Sequence, residues 1–307
     1  QTIADAYDQL TDCFPFARIY YAVKANPATE ITELLRDKGS NFDIASIYEL
    51  DKVMATGVGP ERISYGNTIK KARDIRYFFD KGVRLFATDS EADLRNIAKA
   101  APGAKVYVRI LTEGSTTADW PLSRKFGCDP EMAVEVLDLA KRLGLEPCGI
   151  SFHVGSQQRK VKAWDRALAM ASTVFRDCAE RGINLTMVNM GGGFPTKYLK
   201  DVPPVLQYGR SIFRALRKHF GNQIPETIIE PGRGMVGNAG VIETEVVLIS
   251  RKSDEDEVRW VYLDIGKFGG LAETMDESIR YRVRTEHDED RMSPCVLAGP
   301  TCDSADV

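Results

Sequence analysis

The chain has 307 residues, with 41 lysines and arginines against 44 aspartates and glutamates, a formal charge of −3. Its length exceeds what one hydrophobic core usually holds, and 43% hydrophobic with 28% charged residues excludes a disordered chain. The balanced charge lacks the basic stripe of a nucleic-acid binder, and no apolar run approaches the roughly 18 residues of a membrane-spanning helix.

The chain opens in a helical pattern, QTIADAYDQL, where Asp5 and Asp8 interrupt any apolar run, so no secretory leader is read there. Short β-branched or aromatic runs then recur: RIYYAVK (18–24), NFDIAS (41–46), RISYGN (62–67), VRLFATD (83–89), KVYVRIL (105–111), CGISFHV (148–154), TMVNMGGG (186–193) and ETIIEPGR (226–233). Stretches of helical periodicity separate them, such as ATEITELLRDKG (28–39) and DPEMAVEVLDLAKRLG (129–144), the latter opening on an Asp N-cap and closing on Gly144. Alternating strand and helix patterns argue a parallel sheet with crossover helices. Eight such units predict a (β/α)8 barrel over residues 1–240; an open doubly wound sheet is the alternative.

After Gly240 the pattern changes. VIETEVVLIS (241–250) and VRWVYLDIG (258–266) are strands joined by an acidic turn with no helix between, which predicts a second, mainly antiparallel β domain over 241–307. GGLAETMDESIRY (269–281) reads as a short helix, and the last residues as a strand and a loop. The six cysteines are scattered without a C-x-x-C pair and the histidines number three, so free thiols in a reducing cytoplasm are expected, with no metal site.

In such a barrel, chemistry sits at the carboxyl ends of the strands. Those ends carry Lys24, Asp43 with Ser46, Asn67, Asp89, Arg109, His153 with Ser156, Gly191–Gly193, and Glu230 with Arg233. Taken singly, each has a plain reading as a solvated charge, a core histidine or a turn glycine. Together they suggest more. Bare glycine amides at 191–193 can approach a phosphate, and Gly232-Arg233 adds a second loop with a guanidinium. A phosphate anchor, a strand-end lysine and a strand-end carboxylate suggest pyridoxal phosphate, whose aldehyde forms a Schiff base with a lysine. Its ring is the better electron sink with the pyridine nitrogen protonated, which Glu230 would favour, while His153 could stack on the ring face.

The motifs YYAVKANP (20–27), FDIAS (42–46), HVGSQ (153–157), GGGFP (191–195), EPGR (230–233) and CDSADV (302–307) resemble those of the ornithine/lysine/diaminopimelate decarboxylase family of pyridoxal-phosphate enzymes. The resemblance covers essentially the whole chain. It implies an alanine-racemase-like barrel with a β domain, in a head-to-tail homodimer with shared sites. It further implies that Lys24 holds the cofactor, His153 stacks on its ring, and Glu230 meets its ring nitrogen. Ser156, Gly193, Gly232 and Arg233 would form the phosphate cradle, and Asp43 and Arg109 line the site. Cys302 would serve from the partner subunit in protonating the decarboxylated intermediate, and Asp303 would meet the distal amine of the substrate. A phosphate-binding tyrosine that the family carries further along has no counterpart within these residues.

Cys302-Asp303-Ser304 replaces the C-E-S of diaminopimelate decarboxylases, and Phe194-Pro195 replaces a Leu after the glycines. An aspartate there suits a terminal ammonium. GKFGGLAETMDESIRY (266–281) resembles the bacterial ornithine or lysine form of the specificity helix, which places Glu277, or else Glu273 or Asp276, toward the distal amine. Ornithine and lysine differ by one methylene, about 1–3 kcal/mol of discrimination, so both stay open as substrates. The products would be putrescine or cadaverine, in polyamine biosynthesis. The alternatives are diaminopimelate decarboxylation, an alanine racemase, or a catalytically silent decarboxylase-like regulator. Retention of Lys24, Glu230 and Cys302 argues against the last.

Overall fold

The structure is a computed structural model that describes residues 1–112, 118–120 and 123–307. The chain divides into two compact units, Gln1–Thr196 with Val202–Ala239, and Lys197–Asp201 with Gly240–Val307.

The first unit opens with α1 (Thr2–Cys13), which buries Tyr7 and Leu10. It continues through β1 (Ala17–Ala22), α2 (Thr29–Asp37), β2 (Asn41–Ile44), α3 (Ile47–Ala55), β3 (Ile63–Tyr65), α4 (Ala72–Asp80), β4 (Leu85–Thr88) and α5 (Glu91–Ala100). Next come β5 (Lys105–Arg109), β6 (Ala118–Trp120), α6 (Pro130–Arg142), β7 (Glu146–Ser151), β8 (Ser156–Gln158) and α7 (Ala163–Glu180). β9 (Met187–Asn189), α8 (Val205–Phe220), β10 (Glu226–Ile229) and the single turn α9 (Arg233–Val236) complete it.

Eight of these strands close into a parallel barrel in the order β1-β10-β9-β7-β5-β4-β3-β2. The eight β-rich runs are its eight staves, and the open-sheet alternative is excluded. Alternation along each strand sorts the side chains. Tyr20, Ala87, Tyr107, Cys148, Met187 and Ile228 form a buried cluster contributed by strands alone, which fills the lumen. Their neighbours, such as Ile19, Tyr21, Phe42 and Phe86, turn outward into the larger core beneath the helices.

Helix starts follow local chemistry. Ser46 caps α3 by accepting from the Glu49 N–H at 3.3 Å, while Glu49 Oε2 accepts from the Ala45 N–H at 2.6 Å, close to a capping box. Ser90 caps α5 by accepting from the Asp93 N–H at 3.3 Å. Asp129 precedes α6 as read from the sequence, but its side chain makes no capping hydrogen bond; Pro130 at the first helical position fixes the start instead. One element was not expected. β6 and β8 pair antiparallel as a two-stranded ribbon, Ala118 with Gln158 and Trp120 with Ser156.

In the second unit, β11 (Val246–Ser250) and β12 (Arg259–Leu263) pair antiparallel, as read from the sequence. β13 (Cys295–Ala298) adds to β12 in parallel, so this sheet is mixed. The long connection returns the chain to the starting end of β12 before β13 begins, where a tight turn would have reversed it. The helix expected over 269–281 is a kinked 3₁₀ segment, Ala272–Glu277. Met275 is extended, with ψ of 138°, and Asp276 and Glu277 both have φ of 52°, which breaks any helical ladder.

Candidate active site

The carboxyl end of the barrel gathers the strand-end residues of the first unit. β1 runs into a 3₁₀ turn, Val23–Ala25, whose Val23 is buried and whose Lys24 is exposed. The Ala22 N–H donates to the Pro231 carbonyl at 3.1 Å, so the lysine turn abuts the loop after β10. Gly232 makes that approach possible. A Cβ there would lie 2.9 Å from Ala25 Cβ and 3.2 Å from Ala22 Cβ.

Asp43 is level with Ala22 across the β1–β2 register, and it is 8% exposed. Its Oδ1 is buried without a hydrogen-bond partner. Burial, reinforced by the negative charge of Glu230, pushes its carboxyl well above the usual range, while Lys24 and Arg109 pull the other way. Arg109, ending β5, is lowered by burial, and the carboxylates of Glu230, Asp89 and Asp43 counter that by favouring its charged form. Its guanidinium lies 5.0 Å from the centre of the Phe126 ring.

His153 follows β7. Burial first, then the charges of Arg109 and Lys24, pushes its imidazole well below its ordinary value, so the ring is neutral. Its Nδ1 accepts from the Gly155 N–H at 2.9 Å, which places the ring proton on Nε2. The Thr112 hydroxyl donates to the His153 carbonyl at 2.7 Å. A cavity of about 60 Å³ lies among Arg109, Thr112, Phe126 and His153.

The glycine loop passes between His153 and Glu230. A Cβ on Gly192 would come within 2.5 Å of the Glu230 carbonyl and 3.7 Å of His153 Nε2. One on Gly193, whose φ is +95°, would strike the Gly155 carbonyl at 2.5 Å. The Gly193 carbonyl accepts from the Gln158 N–H at 2.9 Å, and the Gln157 side chain both donates to and accepts from the Thr196 backbone. Ser156, half-buried, begins β8 beside this loop, and Arg233, also half-buried, begins α9. Glu230 accepts a hydrogen bond from the Asn189 amide, and its own N–H donates to the Gly191 carbonyl at 2.9 Å.

Lys24, Asp43, Arg109, His153, Ser156, Gly193, Glu230, Gly232 and Arg233 therefore all stand at the barrel's carboxyl end, most of them coupled by charge or hydrogen bonding. The other three candidates belong to the second unit. Cys302 is exposed, Asp303 Oδ1 accepts from the Ala305 N–H at 2.9 Å, and Glu277 pairs with Arg280. Glu273 accepts from the Tyr281 hydroxyl at 3.2 Å.

Sequence reading missed Asn189, Thr112 and the lumen pair of Ser64 and Tyr107, whose hydroxyls lie 2.9 Å apart. Thr112 lies just past a run already read as a strand end. Asn189 and Tyr107 read as ordinary strand residues.

Residues 1–237 match the model of the pyridoxal-dependent decarboxylase family, pyridoxal binding domain. The chain is 34% identical to the lysine/ornithine decarboxylase of Selenomonas ruminantium over 307 residues, 99% of this chain and 76% of that protein. Among solved structures it is similar to the lysine/ornithine decarboxylase of Vibrio vulnificus complexed with putrescine, with a TM-score of 0.86 and 30% identity over 99% of this chain and 80% of that one. The arginine decarboxylase of Paramecium bursaria Chlorella virus gives a TM-score of 0.88 at 30% identity, over 99% of this chain and 82% of that one.

Proposed function

The chain belongs to the pyridoxal-dependent decarboxylases, and on that premise we propose that it releases carbon dioxide from ornithine, lysine or both, leaving putrescine or cadaverine. The observation that carries this reading is the convergence of Lys24, Asp43, Arg109, His153 and Glu230 at one end of the barrel, beside two glycine loops. The residues fit the cofactor. Asp43 keeps a buried oxygen without a partner, and backbone stands where any Cβ on Gly192 or Gly193 would go. Lys24 is an exposed amine at the mouth, and the neutral His153 ring can lie against an aromatic face without charge repulsion.

Bound there, pyridoxal phosphate supplies an electron sink for the pair left behind when the α-carboxylate departs. Lys24 would hold the group covalently. Ser156, Gly193, Gly232 and Arg233 would take its phosphate, His153 its ring face, and Glu230 its ring nitrogen, with Asp43 and Arg109 lining the site. The bond between Cα and the carboxylate breaks, and a proton replaces carbon dioxide at Cα; Cys302 governs its delivery. Asp303 and Glu277 would bind the distal ammonium, and that remote contact orients the bond to be broken. The barrel spans 1–240 and the β domain 241–307, in a head-to-tail homodimer in which Cys302 and Asp303 complete the partner's site. Six unpaired cysteines support a reducing, cytoplasmic setting. Among the described residues no helix is long and apolar enough to cross a membrane.

The test is carbon dioxide release from ornithine, lysine, arginine and diaminopimelate offered separately to the cofactor-loaded protein. Release is expected from ornithine or lysine and should vanish in Lys24→Ala. Borohydride should leave the pyridoxyl group on Lys24. Release from arginine or diaminopimelate alone would replace the substrate assignment, and reduction onto another lysine would remove the role given to Lys24.

A further inference from the structure

Asn189, the last residue of β9, is 2% exposed, and both ends of its side chain are engaged. The Gly191 N–H donates to its Oδ1 at 2.9 Å, and its Nδ2 donates to Glu230 Oε1. The first bond determines the second. A backbone N–H can only donate, so Oδ1 faces Gly191 and the NH2 group must face Glu230. An amide NH2 in turn can only donate, so Glu230 Oε1 is held as an acceptor. Glu230 is clamped twice to this segment, since its own N–H donates to the Gly191 carbonyl at 2.9 Å. Tyr20, Asp43, Tyr107 and Arg109 also act on Glu230 through charge, from β1, β2 and β5.

We propose that Asn189 is a positioning residue that fixes Glu230 Oε1 as a hydrogen-bond acceptor, so that the proton shared between carboxylate and cofactor rests on the ring nitrogen. A hydrogen bond donated to a carboxylate stabilises its charged form, and losing it makes the carboxylate a stronger competitor for that proton. The inference rests on the pyridoxal-phosphate reading above and concerns which group carries the proton.

The test loads the protein with pyridoxal phosphate labelled with nitrogen-15 in the ring and follows the ring-nitrogen resonance across neutral pH. Borohydride attachment in the parent is checked first, because its absence would sink the cofactor reading and not this one. In Asn189→Leu the donor is gone, and the proton should move from ring toward carboxylate by about tenfold or more. Asn189→Asp separates positioning from mere structure, since Asp can still accept from Gly191 but must take up a proton before it can donate to Glu230. A new pH-dependent transition in the ring resonance, absent from the parent, is therefore expected. A purely structural role predicts Asn189→Asp superimposed on the parent at every pH, which would overturn the proposal. If that variant does not fold, Asn189→Leu decides, and a ring nitrogen as protonated as the parent's has the same consequence.

Discussion

His153 is held neutral by burial and by the positive charges of Arg109 and Lys24, and the Gly155 N–H occupies its Nδ1. In the unfolded chain the same imidazole titrates near 6.5. Below that pH the unfolded state binds a proton that the native state resists, so this residue's contribution to stability falls as pH falls, by at most about 1.4 kcal/mol per pH unit. Between about pH 7.5 and about pH 5.5, the cofactor-free parent should lose more stability than His153→Phe in chemical denaturation, because this ring's linkage is gone. Equal losses would mean that the native state takes up the proton as readily as the unfolded chain. Residue type and place made His153, Lys24 and Glu230 legible, since strand ends in a barrel face the site and those side chains have few plain reasons to cluster there. Asn189 was not legible. Its role is a pair of hydrogen bonds tied to the glycine turn and to the next strand, and neither bond leaves a mark in the sequence.

Between elements, Lys70 and Asp93 form a buried polar joint in the first unit. The ammonium, with a side chain 0% exposed, donates to Asp93 Oδ2 at 2.6 Å and to the carbonyls of Ala87 and Asn67 at 2.6 and 3.0 Å. It fastens the loop after β3 to the end of β4 and to the first turn of α5. Burial lowers the lysine and raises the aspartate, and in each case the partner's charge opposes the shift. Lys70→Met should leave Asp93 buried and unpaired and destabilise the fold by about 3–5 kcal/mol, whereas Lys70→Met with Asp93→Leu should recover most of that loss. Denaturation midpoints would decide; a double variant no better than the single one would contradict this account. A lysine in NTIKK reads as a solvated charge, so the joint was invisible in the sequence. The β6–β8 ribbon was invisible too, because three-residue strands are too short to show alternation. The 269–281 segment misled for another reason. Its composition favours helix, but the left-handed backbone at Asp276 and Glu277 overrides that local preference.

At the scale of the whole molecule, the proposed dimer makes a numerical demand. Lys24→Ala and Cys302→Ala proteins should each be nearly inactive. Dissociated, mixed and re-paired at random, half the dimers would be heterodimers with one intact site of two, so about a quarter of native activity should return. A mixture no more active than either variant alone, with subunit exchange demonstrated, would place Cys302 in its own subunit's site. The barrel plan itself was legible from eight β-branched or aromatic runs, separated by stretches of helical periodicity. Its closure has a consequence for synthesis. The ring is sealed where β1 meets β10, and Arg18 pairs there with Glu226 at 2.7 Å, 208 residues further along the chain. Lys24 leaves the ribosome early, but the loop from Glu230 to Arg233 that stands beside its turn leaves it last among the staves. On the proposed assignment, a nascent chain therefore carries the cofactor lysine long before the loop that would complete the cofactor's seat. Capture at that site would wait for the final strand to dock, and the bound ligand would then stabilise the sealed ring over any form in which that seam is open.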